Sequence, residues 1–152
     1  FMLDIEDFKK SIGNKSRLLG IDPGKKRIGL AISDEDKLVS TPLKTILKKK
    51  NFDFVKEIKE IIEENNIKGI IVGNPLNMDG SKGSSSQSSN DFARNLSNNI
   101  SIPITMWDER LSSEGAFKLS ANIGVNTSKK IKKLDQNAAS FILQGVLDYL
   151  KR

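Results

Sequence analysis

The chain has 152 residues, with 25 Lys or Arg against 19 Asp or Glu, a net charge of +6, and neither cysteine nor histidine. Without thiols or imidazoles there is no disulfide, no cysteine nucleophile, no Ser-His-Asp triad and no Cys- or His-ligated zinc. Hydrolytic chemistry would fall to carboxylates, lysines, hydroxyls or a hard cation held by oxygens, which means magnesium or manganese. The length suits one domain, and no apolar run approaches the ~20 residues that span a bilayer. The opening FMLDIEDFKKSIGNKS lacks the apolar core of a secretory signal, so the expected compartment is the cytoplasm, with no membrane partner.

Residues 1–17 read as an N-terminal extension and 18–152 as the domain. LLGIDPGKKRIGLAI, from Leu18 to Ile32, predicts strand, tight turn, strand, with Asp22 at the tip of the first strand. Leu38 to Ile46 predicts a third strand, which Pro42 assigns to an edge. Asn51 or Asp53 then caps a helix whose Phe54, Val55, Ile58, Ile61 and Ile62 share one face. IKGIIVG, Ile67 to Gly73, is a continuous apolar run, as a strand buried on both faces requires. NPLNMDGSKGSSSQSSN reads as a long polar loop, and Phe92, Ala93 and Leu96 as a short helix behind it.

IPITMW, Ile102 to Trp107, is the fifth strand and ends at Asp108-Glu109-Arg110. Ser112 caps a short helix around Ala116 to Leu119, and GVNTSKKIKK reads as a basic loop. The last helix runs from about Leu134, with Ala138, Ile142, Gly145 and Tyr149 on its inward face. This order predicts an α/β fold with a mixed five-stranded sheet, an antiparallel opening hairpin and later strands joined by crossovers.

Parallel first and fifth strands would bring Asp22 and Asp108 to one carboxyl rim, where open α/β sheets usually bind ligands. Asp135, in the first turn of the last helix by this reading, shares its buried stripe. A cation held between such acids would relieve the cost of burying them. Each acid also has a plainer role: Asp22 could start the turn, Asp108 could pair with Arg110, and Asp135 could face the helix dipole. Glu109 is expected on the opposite side of its strand. Three cationic groups, Lys25-Lys26-Arg27, Lys48-Lys49-Lys50 and Lys129-Lys130 with Lys132-Lys133, point to a nucleic-acid partner.

GIDPGKKRIGLAISD, IIVGNPLNMDG, QSSNDFARNL, WDERLSSEGA and SKKIKKLDQNAASFIL resemble, in order and spacing, the YqgF/RuvX family of Holliday-junction-resolvase-like nucleases. The resemblance runs from about Leu18 to the end of the chain. It implies a ribonuclease-H-like fold and a nuclease, a hydrolase of ester bonds, that processes the 5′ end of precursor 16S ribosomal RNA. Resolution of branched DNA is the alternative, and the ribosome or its precursors are implied partners. The resemblance carries Asp22, Asp108 and Asp135 over as catalytic and metal-holding acids. Lys25, Arg27, Arg110, Lys129, Lys130, Lys132 and Lys133 would then hold phosphates, with Arg110 either on the scissile phosphate or bracing Asp108. At the end of the fourth strand Asn74 and Pro75 stand where related resolvases place an acid, and Asp79 lies further along.

Two other nucleotide folds do not fit. Gly24-Lys25 is no phosphate-binding P-loop, since Leu19 stands at the first glycine and Lys26 at the Ser/Thr. An actin-like ATPase needs two lobes and this length supplies one. A non-catalytic RNA-binding assembly factor, using the lysines alone, competes with the enzyme because fold resemblance never fixes activity.

Overall fold

A computed structural model describes residues 2–49, 53–75, 83–109 and 127–151, with side chains at all of these except 84–85 and 127–137. The elements in order are β1 (Met2–Leu3), α1 (Ile5–Ser11), β2 (Arg17–Pro23), β3 (Arg27–Ser33), β4 (Ser40–Leu47), α2 (Phe54–Asn65), β5 (Ile67–Asn74), α3 (Ser84–Asn99), β6 (Ile104–Asp108) and α4 (Thr127–Leu150). One mixed sheet runs β1-β6-β5-β2-β3-β4. The β2–β3–β4 meander is antiparallel, while β5 pairs in parallel with β2 on one side and β6 on the other.

The described sheet thus has six strands where the sequence predicts five. The sixth, β1, pairs in parallel with β6 through Met2↔Ile104 and Leu3↔Thr105. A two-residue strand carries no period of its own; its partner creates it. Behind it α1 is capped by Asp4, whose carboxylate accepts from the Asp7 backbone N–H at 2.9 Å, and it buries Phe8 completely. Phe8 fills the space over Gly69, where a Cβ would stand 2.8 Å from Phe8 Cζ. Nearby, Tyr149 of α4 donates to Glu6 Oε1 at 2.6 Å.

Helices cover both faces of the sheet. Leu19 and Ile21 of β2 join Ile58, Phe92 and Leu96 from α2 and α3 in one cluster. Leu18 turns to the other face and joins Phe8, Trp107, Ala139 and Leu143 in a second. This alternation follows from the two-residue period of a strand. The central strand β5 serves both clusters, with Ile70 and Val72 on one side and Ile71 on the other, which is why it reads as an unbroken apolar run. Burying each such side chain contributes roughly 1.5–3 kcal/mol.

Three boundaries differ from the expected ones. Leu38 and Val39 lie in the turn before β4, because the Asp34 carboxylate accepts both of their backbone N–H groups, at 2.8 and 2.9 Å. Helix α3 starts at Ser84, so part of the serine-rich stretch is helical rather than loop. Helix α4 starts at Thr127, so Ser128 to Lys133 are helical and not a basic loop, and Asp135 sits beyond the first turn. The expected capping by Ser112 and the helix at Ala116 to Leu119 lie outside the described residues. Among the described residues no helix is long and apolar enough to cross a membrane.

Candidate active site

The hairpin that opens the domain turns after Asp22, not at it. Asp22 still pairs with Gly29, and Pro23 with Ile28, inside the β2–β3 ladder. The turn closes one residue later, where the Gly24 N–H donates to Arg27 O at 2.8 Å. A Cβ on Gly24 would stand 2.5 Å from that same oxygen, so the close approach needs glycine. The end of β4 is tied in as well, by Lys48 N–H donating to Lys26 O at 2.8 Å.

Parity along β2 sets the direction of Asp22. Gly20, two residues earlier, lies under α4: a Cβ there would meet Leu143 Cβ at 2.8 Å and Ala139 O at 3.2 Å. Asp22 therefore emerges on the α4 face. On β6, Trp107 packs into the cluster on that face, so Glu109, two residues on, emerges there too. Gly73 of β5 makes room between them. A Cβ on Gly73 would stand 2.7 Å from Glu109 Oε1 and 2.7 Å from Ile142 Cδ1.

The two carboxyl groups meet. Burial pushes the Glu109 carboxyl up from 4.5 to about 8, reinforced by the Asp22 charge, a hydrogen bond with Asp22, and the Asp108 charge. Two carboxylates at hydrogen-bond distance in a partly buried site cannot both ionise cheaply. Asp108 pairs in register with Asn74, whose Oδ1 accepts from Ser86 Oγ of α3 at 2.7 Å. The alternation of β6 therefore directs Asp108 to the α3 side. Its charge reaches Glu109, while among the described residues Glu109 is the acid hydrogen-bonded to Asp22. Glu109 thus lies on the opposite side of its strand from Asp108, as expected, but it is Glu109, over Gly73, that shares the face of Asp22, while Asp108 is turned to the other.

Asp135 has a described backbone only. It lies one helical turn before Ala139 on α4, about 6 Å along the axis, and Ala139 covers Gly20 on the face that carries Asp22. Among the described residues no group of three or more His, Cys, Asp or Glu is placed to hold a metal ion. What is described is a two-carboxyl, all-oxygen donor set in which burial and repulsion oppose ionisation. That chemistry fits a hard divalent cation, which would neutralise both charges at once.

Asp22 and Glu109 line an open groove of about 430 Å3, with Pro23, Pro75 and Phe92 as its apolar lining and Lys25, Lys48 and Ser88 as further polar members. The groove therefore holds acids and two cations within one concavity. Lys48, just past the end of β4, reads in the sequence only as part of a charged run. Arg27 is half-buried at the start of β3 and is not among the groove residues. Lys129, Lys130, Lys132 and Lys133 fall on the first turns of α4, their side chains outside the described set; Arg110 and Asp79 lie outside the described residues.

A mixed sheet with an antiparallel meander, parallel strands flanking it and helices on both faces is the ribonuclease-H-like fold. It is shared with RuvC of Thermus thermophilus in complex with a Holliday junction substrate, at a TM-score of 0.56 and 10% identity, over 88% of this chain and 94% of that one. A second structure of the same RuvC gives a TM-score of 0.50 over 88% of this chain and 95% of that one, also at 10% identity. The chain belongs to the family described as RuvX, Holliday junction resolvase, which matches residues 16–149. A relative from Pelagibacter ubique is 56% identical over 149 residues, covering 98% of this chain and 99% of its own, and is named "Putative pre-16S rRNA nuclease". A Methylocella silvestris relative of the same name is 40% identical over 151 residues, covering 99% of this chain and 94% of its own.

Proposed function

We propose that the chain is a metal-dependent nuclease that hydrolyses phosphodiester bonds in the precursor of 16S ribosomal RNA, acting in the cytoplasm on ribosome precursors. The observation that carries this reading is the Asp22–Glu109 carboxyl pair sharing one groove with Lys25 and Lys48. A bound magnesium or manganese ion would supply an activated water and charge neutralisation at the scissile phosphate. No histidine base is then needed. Asp22 and Glu109 would hold the ion, with Asp135 entering from α4 and Asp108 adding its charge from the far side of β6. Lys25 and Lys48 would orient the phosphates on either side of the reacting one, each as a point charge on a flexible stem.

Family membership and the RuvC-like fold support a second reading, cleavage of branched DNA. Against it stands Asn74, which occupies the end of β5 and is hydrogen-bonded to Ser86 where related resolvases carry an acid. The two readings separate in one experiment: precursor ribosomal RNA and a four-way DNA junction are each incubated with magnesium, manganese or EDTA. Metal-dependent cutting of the RNA supports the proposal. Cutting confined to the junction overturns the substrate, and binding without cutting in either metal favours the non-catalytic assembly factor.

Gly73 gives a sharper check on the geometry. In Gly73→Ala the new methyl meets the ends of two flexible side chains, Glu109 and Ile142, so the fold yields locally. Stability should change by no more than about 1 kcal/mol. Displacing the Glu109 carboxyl by a fraction of an ångström to an ångström should nonetheless slow cleavage by about a hundredfold. Melting curves and single-turnover cleavage measure the two effects, and normal rates in Gly73→Ala would remove Glu109 from the site.

A further inference from the structure

A second groove, of about 710 Å3, lies between α2 and α3 and is lined by Asp53, Phe54, Lys56, Lys59, Asn95 and Asn99, together with Val55. Its character is cationic. Its one acid among the described residues, Asp53, is committed to the end of α2, accepting from the Lys56 backbone N–H at 3.1 Å. Glu57, the next acid of that helix, is ion-paired to Lys44 of β4. Across the groove Asn99 Nδ2 donates to Asn95 O at 2.8 Å and to Asn95 Oδ1 at 3.0 Å, which holds two amides together on the α3 wall. Cations on one wall and amides on the other are a chemistry suited to phosphate and sugar oxygens.

This groove adjoins the one that holds the acids. Phe92 lines the acidic groove and Phe54 the cationic one, and the two rings stack at 4.7 Å between centroids with an interplanar angle of 18°. One aromatic pair is therefore the common wall of both concavities. A strand lying in the first groove needs to pass only that wall to reach the second. We propose that the α2–α3 groove is an exosite, in which Lys56 and Lys59 hold the phosphate backbone of the same nucleic-acid strand beyond the scissile position. The identity of the polymer rests on the nuclease reading; the charge and the continuity of the grooves do not.

The test compares wild type with Lys56→Glu/Lys59→Glu, and with Lys56→Gln/Lys59→Gln as a variant that adds no repulsion. Binding of a labelled single-stranded RNA is followed by fluorescence anisotropy in EDTA across a salt series. Turnover of bis(p-nitrophenyl) phosphate, which is too small to leave the acidic groove, is followed with manganese. Each lost phosphate contact removes ~0.7 from the slope of log K against log salt for a single strand. The slope should therefore fall by about 1.4 in both variants, and affinity at low salt should fall at least about tenfold. Turnover of the small diester should stay at the wild-type level. An unchanged slope and affinity overturn the exosite and leave the groove to a protein partner. If no protein turns over the diester but RNA binding depends on the two lysines, the nuclease reading falls and the exosite stands.

Discussion

Asp22→Asn should abolish metal-dependent cleavage and leave the metal-free fold as stable as wild type, or more so. The volume is conserved, and the β2–β3 ladder at Asp22↔Gly29 uses backbone groups that the substitution does not touch. A neutral amide is a poor ligand for a hard dication. Losing several kcal/mol of charge stabilisation at the reacting phosphate should slow cleavage by about a thousandfold or more. In EDTA the same change removes a negative charge beside Glu109, so the melting temperature should hold or rise. The paired measurement is a melting curve in EDTA and a cleavage assay with magnesium. A variant that melts markedly earlier yet cuts normally would reduce Asp22 to a structural residue.

The stability of the metal-free protein should fall as pH rises from about 4.5 to about 8, the interval between the ordinary and folded-state values of Glu109. In that interval the unfolded chain has released the Glu109 proton and the native state still holds it. The native state thus binds more protons, and the slope of unfolding free energy against pH is negative. Below the interval both states are protonated and the penalty vanishes. Discounted for relaxation around the site, the loss should be about 2 kcal/mol, or ~5 °C in melting temperature for a chain of this length. The absence of histidine makes the experiment clean, since no imidazole titrates in the same window. Glu109→Gln should flatten the profile. The Asp22 charge raises the Glu109 value second to burial, so Asp22→Asn should make the profile shallower without flattening it. A wild-type profile in EDTA that is already flat would mean that the two carboxyls do not meet in solution.

The hairpin, the central apolar strand and the α2 stripe were legible because each carries its own period within a short window. Asp22 at the tip of the first strand followed directly. The identity of its partner did not. Strand parity says that Asp108 and Glu109 point to opposite faces, but not which of them shares a face with Asp22. That depends on Gly73, whose missing side chain leaves room for Glu109, and on Trp107 choosing the α4 side. Both are tertiary facts. The start of α4 was misplaced for a different reason: SKKIKK is polar, but lysine is a good helix former, and charge does not break a helix. Strand β1 has no local signal at all, since its two residues become a strand only by docking on Ile104 and Thr105.

The placement of α4 also sets the order of events during synthesis. Its residues Ala139 and Leu143 close over Gly20 on β2, and Ile142 reaches the same point above Gly73 as Glu109. Yet α4 is the last of these elements to be translated, while β2 is among the first. The emerging chain can form its meander and present Asp22 early, but the packing behind the carboxyl pair arrives only with α4. A nascent or stalled product ending before Ala139 would carry the acids on an uncovered, aggregation-prone apolar face. Vectorial synthesis therefore withholds the packing behind the carboxyl pair until α4 has been made.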